Sequence, residues 1–220
     1  VSVFPLGSVE ACASLAKISL PSTLIDIGDS FDGTFDGNWN CKKLAEYSVA
    51  ASNTFFSSQD GVLFDKNKTY LIAYPRGNTR TSYTVPATVE TIEADAFDGL
   101  VSLATLNLSA GFSQIMEYGT YPSGPYPCIL GWKLKAINVP EQNLSFSSQD
   151  GVLFNKDKTR LYFYPSAKVA SSYTVPESVT NIYREAFGGT LGLGKIILST
   201  NARFCGYRNP MGDEILVDEY

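Results

Sequence analysis

Apolar positions along this chain recur at intervals of two and three residues, with proline at a constant place among them. Tyr83-Thr84-Val85-Pro86, Val89 and Ile92 lead to Ala96-Phe97 and then to Leu103, Leu106 and Leu108. The same series returns as Val175-Pro176, Val179, Ile182, Ala186-Phe187, Leu193, Ile196 and Leu198. Ile18-Ser19-Leu20-Pro21, Leu24, Ile27-Gly28, Ser30-Phe31, Cys41 and Leu44 form an earlier copy, and Ile115, Tyr118-Gly119, Leu134, Ile137 and Val139 a degenerate one. Alternation over a few residues, closed by a residue with no amide hydrogen, predicts short strands that turn a corner at Pro86 and Pro176. Ala-Phe suits a place where a small residue admits close backbone and a ring fills the centre, so Phe97 and Phe187 are expected to be fully buried at equivalent positions.

A longer period lies over this one. Residues 56–109 align without a gap on residues 146–199, with about half of the positions identical. Both copies open with Phe-Ser-Ser-Gln-Asp-Gly-Val-Leu-Phe, and Asp-Gly between strand-forming residues is a strong hairpin signal. Asp60-Gly61 and Asp150-Gly151 are therefore expected to be tight turns with glycine at positive φ. Each copy continues through a polar turn into Tyr70–Pro75 or Arg160–Pro165, which completes a small antiparallel meander. Units that cannot close a core alone must stack. The expectation is one β-rich domain over residues 1–220, a right-handed solenoid of short parallel strands with two inserted antiparallel β-meanders that interrupt its coil. Repeat modules fall at about 8–49, 83–108, 109–139 and 173–198, with the inserts at about 53–75 and 143–165.

Composition narrows the chemistry. The chain has no histidine, which removes Ser-His-Asp and Cys-His catalysis and imidazole-bearing metal sites. Net charge is −5 and the 17 Lys and Arg are scattered, so no basic stripe is present to neutralise a phosphate backbone, and nucleic acid is not an expected partner. No apolar run is long enough to span a bilayer, and no signal-peptide pattern stands at the start, so any export signal or anchor lies outside this chain. Cys12, Cys41, Cys128 and Cys205 make no Cys-x-x-Cys pair. Cys12 and Cys41 each precede a leucine by three residues, which predicts small packing residues with buried thiols rather than a disulfide.

The recurrence of Cys-x-x-Leu, Leu-Pro, Ile-Gly and Ala-Phe resembles the BspA-type (Treponema-type) leucine-rich repeat, over roughly residues 8–200. The resemblance implies a leucine-rich-repeat solenoid, no enzymatic activity, no cofactor and a secreted or cell-surface bacterial protein. It also implies protein–protein contact or adhesion to host extracellular-matrix components, with glycan binding or a spacer role as the alternatives.

No catalytic or metal residue set stands out. Asp26, Asp29, Asp32 and Asp36 lie among glycines and asparagines without the order of a calcium loop, and read as an acidic surface loop. Two loops break the repeat pattern and carry Trp39 in one and Tyr118, Tyr121, Tyr126 and Trp132 in the other. Aromatic rings on loops suit a contact surface. Aromatic-proline loops also serve to cover the edge of a solenoid, so both readings stand.

Overall fold

The computed structural model describes residues 2–4, 9, 12–27, 41–93, 96–97, 99–100, 102–115, 133–183, 186–208 and 214–217. These residues form strands and turns, with no α-helix among them. In chain order the strands are β1 Lys17–Leu20, β2 Glu46–Val49, β3 Phe56–Gln59, β4 Val62–Asp65, β5 Tyr70–Ala73 and β6 Ser82–Thr84. They continue with β7 Thr91–Ile92, β8 Thr105–Asn107, β9 Gln114–Ile115, β10 Ala136–Asn138, β11 Phe146–Gln149 and β12 Val152–Asn155. The last six are β13 Arg160–Phe163, β14 Tyr173–Thr174, β15 Asn181–Tyr183, β16 Ile196–Ile197, β17 Arg203–Arg208 and β18 Glu214–Val217.

Two families of parallel rungs alternate along the chain. One consists of β1 on β2, then β6 on β8 on β10, then β14 on β16. Tyr83 faces Leu106 and Tyr173 faces Ile196, both 23 positions apart. The other family runs β5, β7, β9 and again β13, β15, β17. Proline makes the corner between them. Val85 N donates to Asn107 O at 2.9 Å as the last bond of its rung, and Val89 N closes onto Pro86 O at 3.0 Å. Val175 and Val179 do the same at Ile197 and Pro176.

The two long copies pair in the same order and register. Phe56 faces Asp65 as Phe146 faces Asn155, and both meanders shift register at the same step, Leu63/Phe64 and Leu153/Phe154. Asp60 and Gly61 both have positive φ, 54° and 80°, and Asp150 and Gly151 have 53° and 79°. Left-handed conformation at both central residues is what the right-handed twist of a two-residue hairpin requires, and the Asp-Gly expectation holds.

The meanders interrupt both rung families: the strands of the first fall into three separate sheets and those of the second into two. Their third strands are the first parallel rungs of those two sheets, since β5 lies parallel to β7 and β13 parallel to β15. Their hairpin tips meanwhile bond to the first family, through Tyr47 N to Gly61 O and Ile137 N to Gly151 O, both 2.9 Å. The inserted hairpins thus exchange backbone hydrogen bonds with both families.

The core runs between the families. Its largest cluster extends from Val62 and Phe64 through Phe97, Leu106, Phe112 and Ile137 to Phe163, so both meanders share it. Phe97 is fully buried against Tyr74 and Tyr83, with ring centroids 5.3 and 6.2 Å away. Phe187 repeats the contacts with Tyr164 and Tyr173 at 5.4 and 6.1 Å, yet it is only partly buried, contrary to expectation. The reason lies in what covers each ring. Beside Phe97, Leu100 is buried, and the guanidinium of buried Arg76 lies against Gly99; the second copy has Thr190 and Ser166 at the places of Leu100 and Arg76. The rung next to it is also open: Leu106 and Leu108 are 0% and 3% exposed beneath β10, whereas their counterparts Ile196 and Leu198 are 37% and 46% exposed.

The same comparison isolates one orphaned polar atom. The Tyr74 hydroxyl has Asn78 Oδ1 at 3.3 Å, but the second copy places Lys168 there, and its ammonium donates to Asp150 O at 2.6 Å instead. The buried Tyr164 hydroxyl is left with no hydrogen-bond partner among the described residues. Removing an unsatisfied buried hydroxyl relieves a desolvation cost, so Tyr164→Phe is expected to stabilise the protein by about 1 kcal/mol. Tyr74→Phe is expected to be neutral or slightly destabilising. Thermal melts of the two variants check this, and a Tyr164→Phe protein that melts below the parent would contradict it.

Candidate binding face

Outward positions of the central parallel sheet form the best described candidate surface. Tyr83, Leu106 and Ile137 point into the core, so the residues flanking them on β6, β8 and β10 point outward by the period of two. Those residues are Ser82 and Thr84, Thr105 and Asn107, Ala136 and Asn138, all exposed or half-buried. None is charged. Successive rungs are joined by their side chains: Asn138 Nδ2 donates to Asn107 Oδ1 at 2.8 Å, and Asn107 Nδ2 donates to Thr84 Oγ1 and Ser82 Oγ at 3.2 and 3.3 Å. These bonds orient the amides, so the face presents a fixed set of hydroxyl and amide groups rather than mobile ones.

Several cations on neighbouring rungs and turns are held by other groups. On the first rungs Lys17 and Glu46 pair at 2.7 Å, with side chains about half exposed, where such a pair contributes little to stability. Arg80 Nη1 and Lys168 Nζ donate to the hairpin carbonyls of Asp60 and Asp150 at 2.8 and 2.6 Å. Lys68 and Lys158, both at positive φ, donate to Gln59 and Gln149 at 2.7 and 2.8 Å. The stripe on β6, β8 and β10 therefore carries hydrogen-bonding capacity without a titrating group.

Titrating groups whose behaviour is altered sit in the core. Burial, then hydrogen bonding to and repulsion by the Glu93 carboxylate, push the Tyr70 phenol well above its ordinary range. Burial raises Tyr74, Tyr83, Tyr164 and Tyr173 in the same direction. These phenols stay neutral across the physiological range. Among the described residues no cluster of three His, Cys, Asp or Glu could hold a metal ion, and no helix is long and apolar enough to cross a membrane.

The structure does not bring the aromatic candidates into this account. Trp39, Tyr118, Tyr121, Tyr126 and Trp132 lie outside the described residues, as do Asp29, Asp32 and Asp36 of the acidic loop. Sequence reasoning missed the Asn107–Asn138 stack, because attention to inward periodicity passes over outward positions. A signal was available in the paired strings Thr105-Leu106-Asn107-Leu108 and Ala136-Ile137-Asn138-Val139, which put asparagine at one strand register twice.

Comparison with known proteins decides the kind of repeat. A family model described as a BspA type leucine rich repeat region matches residues 74–124 and 160–208, with six copies. Over those two stretches the chain matches the BspA-type leucine-rich repeat. The matched stretches contain β6 to β9 and β13 to β17, so the BspA-type repeat corresponds here to alternating rungs of the two families. No curated protein matches the chain. A solved leucine-rich repeat protein from Eubacterium ventriosum is 21% identical with a TM-score of 0.54, covering 86% of this chain and 50% of its own. A leucine rich cell surface protein from Faecalibacterium prausnitzii is 21% identical with a TM-score of 0.51, covering 84% of this chain and 48% of its own. The pneumococcal vaccine antigen PcpA is 25% identical with a TM-score of 0.46, covering 86% of this chain and 35% of its own. The chain thus spans half or less of each of these solved proteins, and the first two share its fold.

Proposed function

We propose that this chain is a non-enzymatic binding module of a secreted or cell-surface bacterial protein, making protein–protein contacts of the kind used in adhesion to host or matrix components. In this reading the two rung families are the faces of a right-handed leucine-rich-repeat solenoid. The observation that carries it is the stripe on β6, β8 and β10. Six outward residues on three stacked rungs are neutral and short, and four of them, Ser82, Thr84, Asn107 and Asn138, are oriented by hydrogen bonds to one another, which lowers the ordering cost of a contact and offers partners for a polar protein surface. The extracellular setting rests on the BspA-type repeat alone.

Glycan binding is the second reading, and the observation favouring it is Trp39, Tyr118, Tyr121, Tyr126 and Trp132 in two loops. Aromatic rings present large area at low entropic cost. A panel of immobilised matrix proteins and a glycan array, probed with the same protein, separates the readings. The expected result is binding to at least one matrix protein that weakens tenfold or more in Thr105→Arg/Asn107→Arg, with folding unchanged. Binding to glycans alone, abolished by Tyr121→Ala/Trp132→Ala, would transfer the function to the loops. Silence on both panels would favour a spacer.

A further inference from the structure

Cys12 and Cys41 occupy one register position in neighbouring rungs. On β1 and β2 the paired residues are Lys17 with Glu46 through Leu20 with Val49, each 29 positions apart, and Cys12 and Cys41 are also 29 apart. Hydrogen bonding extends that register back to the cysteines. Leu15 N donates to Cys12 O at 3.1 Å and Leu44 N to Cys41 O at 3.0 Å, so the same turn precedes both strands, and Ala45 N reaches across to Ala16 O at 2.9 Å. Neighbouring strands lie about 4.8 Å apart, inside the range of roughly 4.4–6.8 Å between α-carbons that a disulfide spans. The side chains also meet: hydrogen bonding with Cys12 acts on the Cys41 thiol, whose Sγ lies 3.0 Å from Val9 O. The structure holds both as thiols.

We propose that Cys12 and Cys41 are a disulfide-forming pair that staples the first two rungs when the protein meets a small-molecule disulfide oxidant. Cys41 is fully buried and Cys12 only partly, so the reaction begins at Cys12. Burial pushes the Cys41 thiol up, which also disfavours it as the first nucleophile. The Cys12 thiolate attacks one sulfur of the oxidant, forming a mixed disulfide and releasing one thiol. Cys41, losing its proton, then attacks the Cys12 sulfur and expels the second thiol. Two S–H bonds of the protein are exchanged for one S–S bond, and the oxidant is reduced to two thiols. The loop so closed contains residues 28–40, whose unfolded-state freedom the bridge would restrict.

The test uses the Cys128→Ser/Cys205→Ser chain, folded and incubated with glutathione disulfide, then acid-quenched and digested with trypsin without reduction. Expected is loss of two hydrogens in mass, with peptides 1–17 and 18–42 joined, and a Tm higher by about 5 °C or more than that of the reduced sample. In the added Cys41→Ser background the reaction should stop at a mixed disulfide on Cys12. The parent chain, read by the same peptide map, supplies the result if the double serine variant does not fold. A mixed disulfide on Cys12 that persists with Cys41 present, a bridge that forms only in denaturant, or a bridged form that melts below the reduced one would each overturn the proposal.

Discussion

Asn53→Ala is expected to lower the unfolding free energy by about 3–5 kcal/mol, as much as emptying a large core site, although only a small amide is removed. Asn53 is fully buried, and every hydrogen-bonding position of its side chain is occupied. Its Nδ2 donates to Pro21 O and Leu24 O, both at 2.9 Å, and its Oδ1 accepts from Phe55 N and Phe56 N at 2.8 and 2.7 Å. One side chain thereby ties the proline corner after β1 to the first residue of the meander. Alanine would strand two carbonyls and two amides away from water, at roughly 1–3 kcal/mol for each one left unsatisfied, less whatever water entering the space recovers. Asn143 makes the equivalent four bonds to Ser109 O, Phe112 O, Ser145 N and Phe146 N, so its replacement should cost a similar amount.

Asn53→Asp separates hydrogen bonding from volume. The carboxylate has nearly the same shape and still accepts from both amides, but it faces the carbonyls of Pro21 and Leu24 with no donor and carries a buried charge. It is expected to destabilise at least as much as alanine at neutral pH. Urea unfolding of the two variants beside the parent measures the difference. An aspartate variant as stable as the parent would show that the two carbonyl contacts contribute nothing.

These asparagines also mark where sequence reasoning stops. The hairpins were legible, because Asp60-Gly61 and Asp150-Gly151 state a local backbone requirement that neighbouring residues cannot override. The parallel rungs were legible too, since residues such as Val85, Val89 and Ile92 recur with proline at one place in the pattern. Asn53 and Asn143 stand three residues before the identical strings that open at Phe56 and Phe146, and a buried asparagine leaves no periodic trace. The Asn107–Asn138 stack escaped for a related reason, as outward positions are constrained by their neighbours on adjacent rungs and not by the core. The orphaned Tyr164 hydroxyl depends on a single exchange, Asn78 in one copy for Lys168 in the other, whose effect appears only once both are placed in space. Position 77 teaches the same lesson. A Cβ on Gly77 would come within 2.4 Å of the Lys43 carbonyl carbon, yet Ala167 holds the equivalent place and makes the equivalent bond, from its N to Leu134 O at 2.8 Å. The two copies share a topology and differ in how closely neighbouring backbone approaches this position, which no alignment records.

The second large effect turns that inequality into a measurement. Phe97→Ala is expected to destabilise by about 3–5 kcal/mol, through lost transfer energy and the cavity left among residues too constrained to collapse. The ring is fully buried within the aromatic trio it forms with Tyr74 and Tyr83, and it lies in the cluster that joins the two meanders. Phe187→Ala removes the same side chain from the same motif and should cost distinctly less, about 1–3 kcal/mol, because part of that ring is already in water. Sequence identity at Ala-Phe would assign the two substitutions equal weight. The structure separates them by what stacks above each ring: β10 covers the rung beside Phe97, while Ile196, Ile197 and Leu198 beside Phe187 are exposed. Chemical denaturation of both variants decides the matter. Equal losses would mean that the rung carrying Ile196 is covered in solution, on the edge of β16 that no other described strand pairs.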